Sequence, residues 1–159
     1  MKSFNLITIV LMIGGLAFIT ACGGDDPVEP TAAEKALEEL AGTSSFTWAL
    51  ATGTAVTLDS DDRTDEWQNF ELTFTISKSY NTTNSSEESV WPSAGTWDFV
   101  GIDGAGLGVL IRSDQQQINI DNISTSNLTL SFDKVLASAH QNERVASIEG
   151  NWVFKFVKK

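Results

Sequence analysis

The one cysteine of the chain, Cys22, is its strongest candidate for covalent chemistry. A thiolate is the best nucleophile that a side chain offers near neutral pH. Cys22 ends an apolar run, follows the small residues Thr20 and Ala21, and precedes the glycines and acids of residues 23–26. A single cysteine cannot form an intrachain disulfide. These surroundings favour covalent modification of Cys22 rather than catalysis or crosslinking.

Residues 1–21 have the layout of an export signal. Lys2 supplies a positive start, Leu6–Ile19 an apolar stretch, and Thr20, Ala21 and Cys22 a small-residue cleavage site. The uncharged run is also long enough for a membrane span of about 20 residues. Two glycines at 14–15 interrupt it, however, and acidic rather than basic residues follow. We therefore expect a signal peptide that is cleaved.

The stretch Ile19-Thr20-Ala21-Cys22 resembles the lipobox of bacterial lipoproteins. The resemblance implies that Cys22 carries a diacylglycerol, that cleavage follows Ala21, and that the new amine is acylated. Each buried CH₂ contributes about 0.8 kcal/mol, and more than one chain makes attachment stable. The membrane partner is then reached through Cys22. The implied location is the bacterial cell envelope, anchored to the outer membrane and facing the periplasm or the cell surface.

Other residues that could take part in catalysis or metal binding lack the partner residues that such a site needs. The one histidine, His140, lies in a polar segment with no nucleophile motif nearby. An acidic group resembles a calcium loop only faintly, since the sixth position is Thr64 and the twelfth is Phe70. That group comprises Asp59, Asp61, Asp62, Asp65 and Glu66. We predict no catalytic residue, no metal site and no cofactor, and the protein is not expected to be an enzyme.

The charge of the chain excludes one class of partner. The formal net charge is −11, from 10 basic and 21 acidic residues. Removing residues 1–21 removes Lys2 and no acid, which leaves 9 basic and 21 acidic residues, or −12. So negative a surface repels phosphate backbones and anionic lipid. Nucleic acid is therefore not an expected partner.

Composition divides the rest of the chain into a tether, 22–30, and one domain, 31–159. The tether is rich in Gly, Asp, Pro and Glu, which cannot bury apolar surface. A short helix is predicted over Thr31–Leu40, with Thr31 and Glu34 as a capping box and Gly42 as a stop.

From residue 44 onward, apolar and polar residues alternate, as they do in half-buried strands. The pattern predicts an all-β fold: a meander of about eight antiparallel strands that closes into a barrel behind the short N-terminal helix. A β-sandwich has the same signature and remains the alternative. The apolar positions are Phe46, Trp48 and Leu50; Phe70, Leu72, Phe74 and Ile76; a weaker strand near Tyr80; Trp97 and Phe99; Leu107, Val109 and Ile111; Ile118 and Ile120; Leu128, Leu130 and Phe132; and Trp152, Phe154 and Phe156.

This layout resembles the lipocalin-like domains found on lipoproteins of the Bacteroidetes type. The shared features are a lipid cysteine, an acidic tether, a short helix ending in Leu40-Ala41-Gly42-Thr43, and then a meander. The segment Trp91–Phe99 is also similar. The resemblance covers most of the chain after Cys22 and implies a lipocalin-like barrel that can hold a ligand.

Five inward aromatic residues are the predicted ligand contacts: Trp48, Phe74, Trp97, Phe132 and Trp152. They would hold one small hydrophobic molecule in a non-catalytic binding module, although plain core is the simpler interpretation of the same pattern. Trp91 is expected at an end of the barrel. Trp67 is out of phase with Phe70 and is expected in an exposed acidic loop.

The alternative is a structural or surface-interaction lipoprotein with a solid core. It would bind protein or glycan through its loops, chiefly Leu58–Phe70 and Tyr80–Trp91. The sequence does not identify a particular protein partner.

Overall fold

A computed structural model describes residues 29–135 and 148–159. The predicted signal peptide 1–21, the lipid-attachment residue Cys22, most of the tether 22–30, and His140 lie outside the described residues. In the part that is described, no helix has both the length and the apolar character needed to cross a membrane.

The predicted helix is present as α1, Ala32–Ala41. Its capping box is formed: the Glu34 backbone N–H donates to Thr31 Oγ1 at 3.2 Å, and the Thr31 N–H donates to Glu34 Oε2 at 2.7 Å. Gly42 ends the helix with a φ of 66°, a left-handed value that glycine adopts without strain. A Cβ at Gly42 would lie 2.5 Å from the Phe46 ring, so the first strand also packs against this glycine.

One antiparallel sheet contains all ten strands of the described residues, and eight of them close into a barrel in the order β1-β4-β5-β6-β7-β8-β9-β10. Closure is made by β1 and β10, with Trp48 opposite Lys158 and Leu50 opposite Phe156. The predicted eight-stranded barrel is thereby confirmed, and the sandwich alternative is wrong. The strands are β1 Ser45–Leu50, β2 Val56–Leu58, β3 Asp61–Asp62, β4 Glu71–Thr75, β5 Ser79–Thr83, β6 Ala94–Ile102, β7 Gly108–Arg112, β8 Gln117–Ile123, β9 Asn127–Lys134 and β10 Gly150–Lys158.

The short strands β2 and β3 were not predicted from the sequence. β2 pairs with the first half of β10, while β1 pairs with its second half. Lys155 bridges the break between them, because its C=O accepts from the Ala51 N–H and its N–H donates to the Ala55 C=O. β1 and β2 therefore run one behind the other along β10, and the chain then turns away through β3.

Because neighbouring strands alternate in direction, the connections collect at two opposite ends of the barrel. We call one the helix end: it carries α1 and the turns 76–78, 103–107 and 124–126. We call the other the loop end: it carries the segments 59–70, 84–93 and 113–116. Both loops that the sequence singled out for surface binding therefore lie at the same end.

The core fills the inside of the barrel, and most predicted apolar faces point into it. β7 is the exception, because Leu110 and Arg112 are buried whereas Val109 and Ile111 are only half-buried. The predicted inward face of β7 was therefore wrong by one residue. A strand that is apolar on both faces gives no phase, and a buried arginine is rare enough to be overlooked. Ile76 was also misplaced, since it lies beyond β4 and is 50% exposed.

Candidate functional site

All five predicted ligand contacts are buried inside the barrel. Trp48 contacts the helix, because its indole Nε1 donates to the Leu40 C=O at 2.9 Å. Phe74 and Trp97 contact each other edge to face, with ring centroids 5.5 Å apart. Trp48, Phe74 and Trp97 therefore contact other core side chains and the helix α1.

The other two predicted contacts, Phe132 and Trp152, lie opposite each other on β9 and β10. Phe132 stacks on Phe154 with centroids 6.0 Å apart, and Trp152 meets Trp67 edge-on at 5.7 Å. Trp48 and the Phe74–Trp97 pair are not among the ring contacts of these two residues. The structure thus places the five in three small groups: Trp48 beside α1, Phe74 with Trp97, and Phe132 opposite Trp152. Their role in ligand binding stays a prediction.

The exposure predicted for Trp67 is wrong, because this residue is only 1% exposed. It ends a 3-10 helix, Thr64–Trp67, that turns its ring into the loop end of the barrel. The ring centroid lies 5.1 Å from that of Phe70 and 5.0 Å from that of Phe154, in edge-to-face geometry. Asn69 then takes a left-handed φ of 61°, which breaks the two-residue alternation on which the prediction relied.

Trp91 reaches the same interior from a different loop. It belongs to the segment 84–93 between β5 and β6, which we call the plug segment, and it is fully buried. Its ring lies edge-on to Tyr80, Phe132 and Phe154, with centroids 6.0, 5.7 and 5.9 Å away. The prediction placed Trp91 at one end of the barrel, and the structure places it at the loop end with its ring inside.

A buried cation holds the plug segment in place. The Arg112 side chain is 1% exposed, and its guanidinium donates from Nη1 to the Val90 C=O at 2.8 Å. Nε and Nη2 donate to the two carboxylate oxygens of Asp114 at 3.1 and 2.6 Å. Arg112 Cζ also lies 5.0 Å from the centroid of the Trp91 ring, within cation–π range. Arg112 therefore pairs its charge with Asp114, donates a hydrogen bond to the backbone of the plug segment and makes a cation–π contact with Trp91.

Three ionisable groups around Arg112, namely Asp114, Lys134 and Tyr80, have shifted pKa values. Burial raises the pKa of Asp114, but hydrogen bonds from Arg112 outweigh this and hold it below its ordinary value. Burial and the nearby Arg112 charge lower the pKa of Lys134, with Asp114 and Glu87 opposing them. Burial raises the pKa of the Tyr80 hydroxyl. The cluster is thus a small region of reduced solvation at the loop end.

The indole N–H of Trp91 lacks the hydrogen bond that three other core tryptophans make. Its buried Nε1 has no hydrogen-bond partner among the described residues. The indole N–H groups of Trp48, Trp97 and Trp152 donate to backbone carbonyls at 2.9, 3.2 and 2.9 Å. A buried donor without a partner costs about 1–3 kcal/mol. The plug segment is therefore inserted at an energetic cost that Trp48, Trp97 and Trp152 do not carry.

Three open clefts lie on the outside of the described part of the chain, with volumes of about 360, 380 and 420 Å³. Two are at the loop end, one beside Thr64 and Asp65 and one beside Lys134 and Gly150. None of the three is lined by the five predicted ligand contacts. Within residues 29–135 and 148–159, no three His, Cys, Asp or Glu side chains are grouped so that they could hold a metal ion.

The described part of the loop end is strongly acidic, with ten carboxylates against three basic side chains. The acids are Asp59, Asp61, Asp62, Asp65, Glu66, Glu87, Glu88, Asp114, Asp133 and Glu149, and the bases are Arg63, Arg112 and Lys134. Because Arg112 is buried, the net charge exposed to solvent is more negative than the count of charged residues indicates.

The chain matches no family model, no curated protein and no solved structure. Its function is therefore inferred from the barrel and its two ends.

Proposed function

We propose that this protein is a lipid-anchored lipoprotein with a solid core, and that it binds a protein partner through the loop end. The filling of the barrel by Trp67 and Trp91 carries this proposal. Both rings come from the long loops and pack against Phe154, in the part of the interior where a ligand would otherwise lie. An interior filled by its own side chains leaves binding to the outer surface.

The direction of the chain supports the choice of the loop end. The tether leads into α1, and α1 covers the helix end, where Trp48 bonds to Leu40. A lipid on Cys22 would hold this end towards the membrane. The loop end would then point away from the membrane, where a partner can approach it.

The chemistry of the loop end favours a protein over a glycan. Sugars are commonly held by exposed aromatic rings, but all five tryptophans are buried, including Trp67 and Trp91 in the loops. The exposed groups are mainly carboxylates, which attract a basic surface over several ångströms and speed its approach. The expected partner is a protein with a basic patch, bound more weakly as salt is raised.

A small hydrophobic ligand among Trp48, Phe74, Trp97, Phe132 and Trp152 is the competing proposal. Native mass spectrometry of protein from its own host distinguishes the two. A mass equal to that of the lipidated polypeptide alone supports the solid core. A stoichiometric additional mass, lost on unfolding, would contradict it.

The anchor is tested by feeding radiolabelled palmitate to the host. We expect label on the wild-type protein and none on Cys22→Ser, because the acyl chains need the thiol and the new amine. Thr125→Ser, a conservative change at the helix end, is the matched control and should stay labelled. Equal labelling of the Cys22→Ser variant would refute the lipoprotein proposal.

A further inference from the structure

The third of the open clefts lies on the outside of the helix end and has a volume of about 380 Å³. We call it the helix-end cleft. Its walls come from α1, the first strand, the turn 124–126 and the end of β10. The volume is at the low end of the range for small-molecule sites. The lining residues are Lys35, Glu38, Glu39, Phe46, Thr125 and Lys158.

Charges of both signs line the helix-end cleft without pairing with each other. Glu38 and Glu39 follow Lys35 by three and four positions, which places them on one face of α1, and Lys158 lines the same cleft from β10. None of these four forms an ion pair with a described residue, although four other cations in the described part of the chain do. Two ammonium groups and two carboxylates are therefore available to a ligand that carries both charges.

The Phe46 ring positions Lys158 without neutralising it. Lys158 Nζ lies 3.0 Å from the ring centroid, in a cation–π contact. The ring lies against Gly42, where a Cβ would come within 2.5 Å of it. A cation that rests on an aromatic ring keeps its full charge for an anion, whereas a carboxylate partner would cancel that charge. The glycine that ends α1 thus helps to fix one ammonium group beside the cleft.

The position of the cleft favours a lipid as its ligand, and this step rests on the proposed function. Cys22 precedes Thr31 by nine positions, which an extended chain spans in about 30 Å at most. The ten residues of α1 add about 15 Å along the helix axis. A diacylated Cys22 would therefore hold the cleft within reach of the head groups of the bilayer.

Charge complementarity favours a zwitterionic head group over an anionic one. The chain has a net charge of −11, so an anionic bilayer repels it. A zwitterionic head group has no net charge, and it offers a phosphate to the lysines and an ammonium group to the glutamates. An anionic head group would leave Glu38 and Glu39 without a partner.

We propose that the helix-end cleft is a docking site for the head group of a zwitterionic phospholipid. The phosphate binds to Lys35 and Lys158, and the ammonium group binds to Glu38 and Glu39. A flexible tether alone does not orient the barrel. Occupancy of the cleft does, because it holds α1 against the bilayer and directs the loop end towards solvent.

Acylation of lysines by a water-soluble reagent, read by mass spectrometry, tests the site in the lipidated protein reconstituted in vesicles. Lys78 is also at the helix end, outside the cleft, and is the internal control for shielding by the bilayer surface. We expect the reactivity of Lys35 and Lys158, each relative to Lys78, to be at least about fivefold lower in phosphatidylcholine than in phosphatidylglycerol, since a bound head group competes with the reagent. Equal relative reactivity in the two lipids would overturn the proposal.

A double variant connects this shielding to the two carboxylates. Glu38→Gln combined with Glu39→Gln should remove the difference between the lipids, because the ammonium group of the head group loses its partners. Asp121→Asn removes an exposed carboxylate from β8, outside the cleft, and should leave the difference unchanged. Retained shielding of Lys35 in the double variant would overturn the assignment of the two glutamates.

Soluble phosphocholine separates failure of the cleft from failure of the anchor. It should shield Lys35 and Lys158 in detergent solution, whereas glycerol 3-phosphate, which has no ammonium group, should not. Wild-type protein that does not float with vesicles would refute the anchor, and the phosphocholine result then decides the cleft. Protein that floats, with no shielding by either phosphatidylcholine or phosphocholine, would refute the cleft alone. Shielding by phosphocholine but not by the vesicles would contradict the assignment of the ligand as a membrane lipid.

Discussion

The two ends of the barrel are closed by different physical means. At the helix end, a capped amphipathic helix covers the opening, and the Trp48 indole finds a carbonyl on that helix. At the loop end, two irregular segments insert Trp67 and Trp91, and a buried arginine holds one of them. The first closure satisfies its polar groups, while the second leaves the Trp91 N–H unpaired.

The difference supports the proposal that the helix end serves stability and the loop end serves binding to a protein partner. Regular structure with satisfied hydrogen bonds has little reason to move, whereas loops that carry buried charge and an unpaired donor are the usual location of binding and switching. Breaking each closure separately should therefore give effects that differ in size and in kind. The following changes are arranged from the largest expected effect to the smallest.

Trp67→Ala should be the most damaging change, because it empties the centre of the aromatic cluster around Phe154. Removing a buried aromatic side chain costs about 3–5 kcal/mol of unfolding free energy. Urea denaturation of both proteins measures this loss. The matched control is Val100→Ala, an exposed apolar position on β6 that should change stability by less than about 0.5 kcal/mol. A loss below about 1 kcal/mol for Trp67→Ala would mean that the loop end is not a packed closure.

Asp114→Asn tests the buried ion pair at the same end. It leaves the Arg112 guanidinium buried beside a neutral amide, and we expect a loss of about 2 kcal/mol, less than for a fully buried pair because Asp114 is 40% exposed. Asp98→Asn breaks an ion pair whose carboxylate is 64% exposed and should cost less than about 1 kcal/mol. Denaturation of both variants decides the point. Equal small losses would show that Arg112 is held by its aromatic neighbours instead.

Thr31→Ala tests the opposite end. It removes the acceptor for the Glu34 N–H and should cost about 1 kcal/mol, since the helix keeps its packing against the barrel. Thr31→Ser retains the hydroxyl and is the control. Thermal unfolding followed by circular dichroism measures both. A collapse as large as that of Trp67→Ala would reverse the ranking of the two ends.

Acid should produce the smallest effect that is specific to the loop end. The pKa of Asp114 is lower in the folded protein than its ordinary value of about 3.9. Its contribution is therefore complete above about pH 5 and is lost as the pH falls through the unfolded pKa and then the folded pKa. Between pH 5 and pH 3, roughly, the stability of the wild-type protein should fall more steeply than that of Asp114→Asn. Identical slopes would show that ionisation of Asp114 does not contribute to the stability of the folded protein.

Much of the barrel could be predicted from the sequence, because most of its eight strands alternate between apolar and polar residues. Leu128, Leu130 and Phe132 illustrate this, since all three are buried as their spacing predicts. The helix was also predictable, because the capping box is a local signal between Thr31 and Glu34. Element bounds differ by a residue or two, as they do where the last turn frays.

The loop end could not be predicted in the same way. β2 and β3 have three and two residues, too few to establish an alternation. Trp67 is buried by a 3-10 helix and a left-handed Asn69, which local polarity does not indicate. Arg112 is buried only because Asp114 and the Val90 C=O meet it from other segments. Each of these features depends on contacts that exist only after the barrel closes.

Photo-crosslinking on intact host cells tests the central claim most directly. A crosslinking amino acid is placed at Asp61, at the loop end, and in a second protein at Lys35, at the helix end, both on the surface. We predict that the Asp61 position captures one reproducible basic protein, lost at high salt, and that the Lys35 position captures lipid or nothing. Capture of the same protein from Lys35 but not from Asp61 would contradict the account.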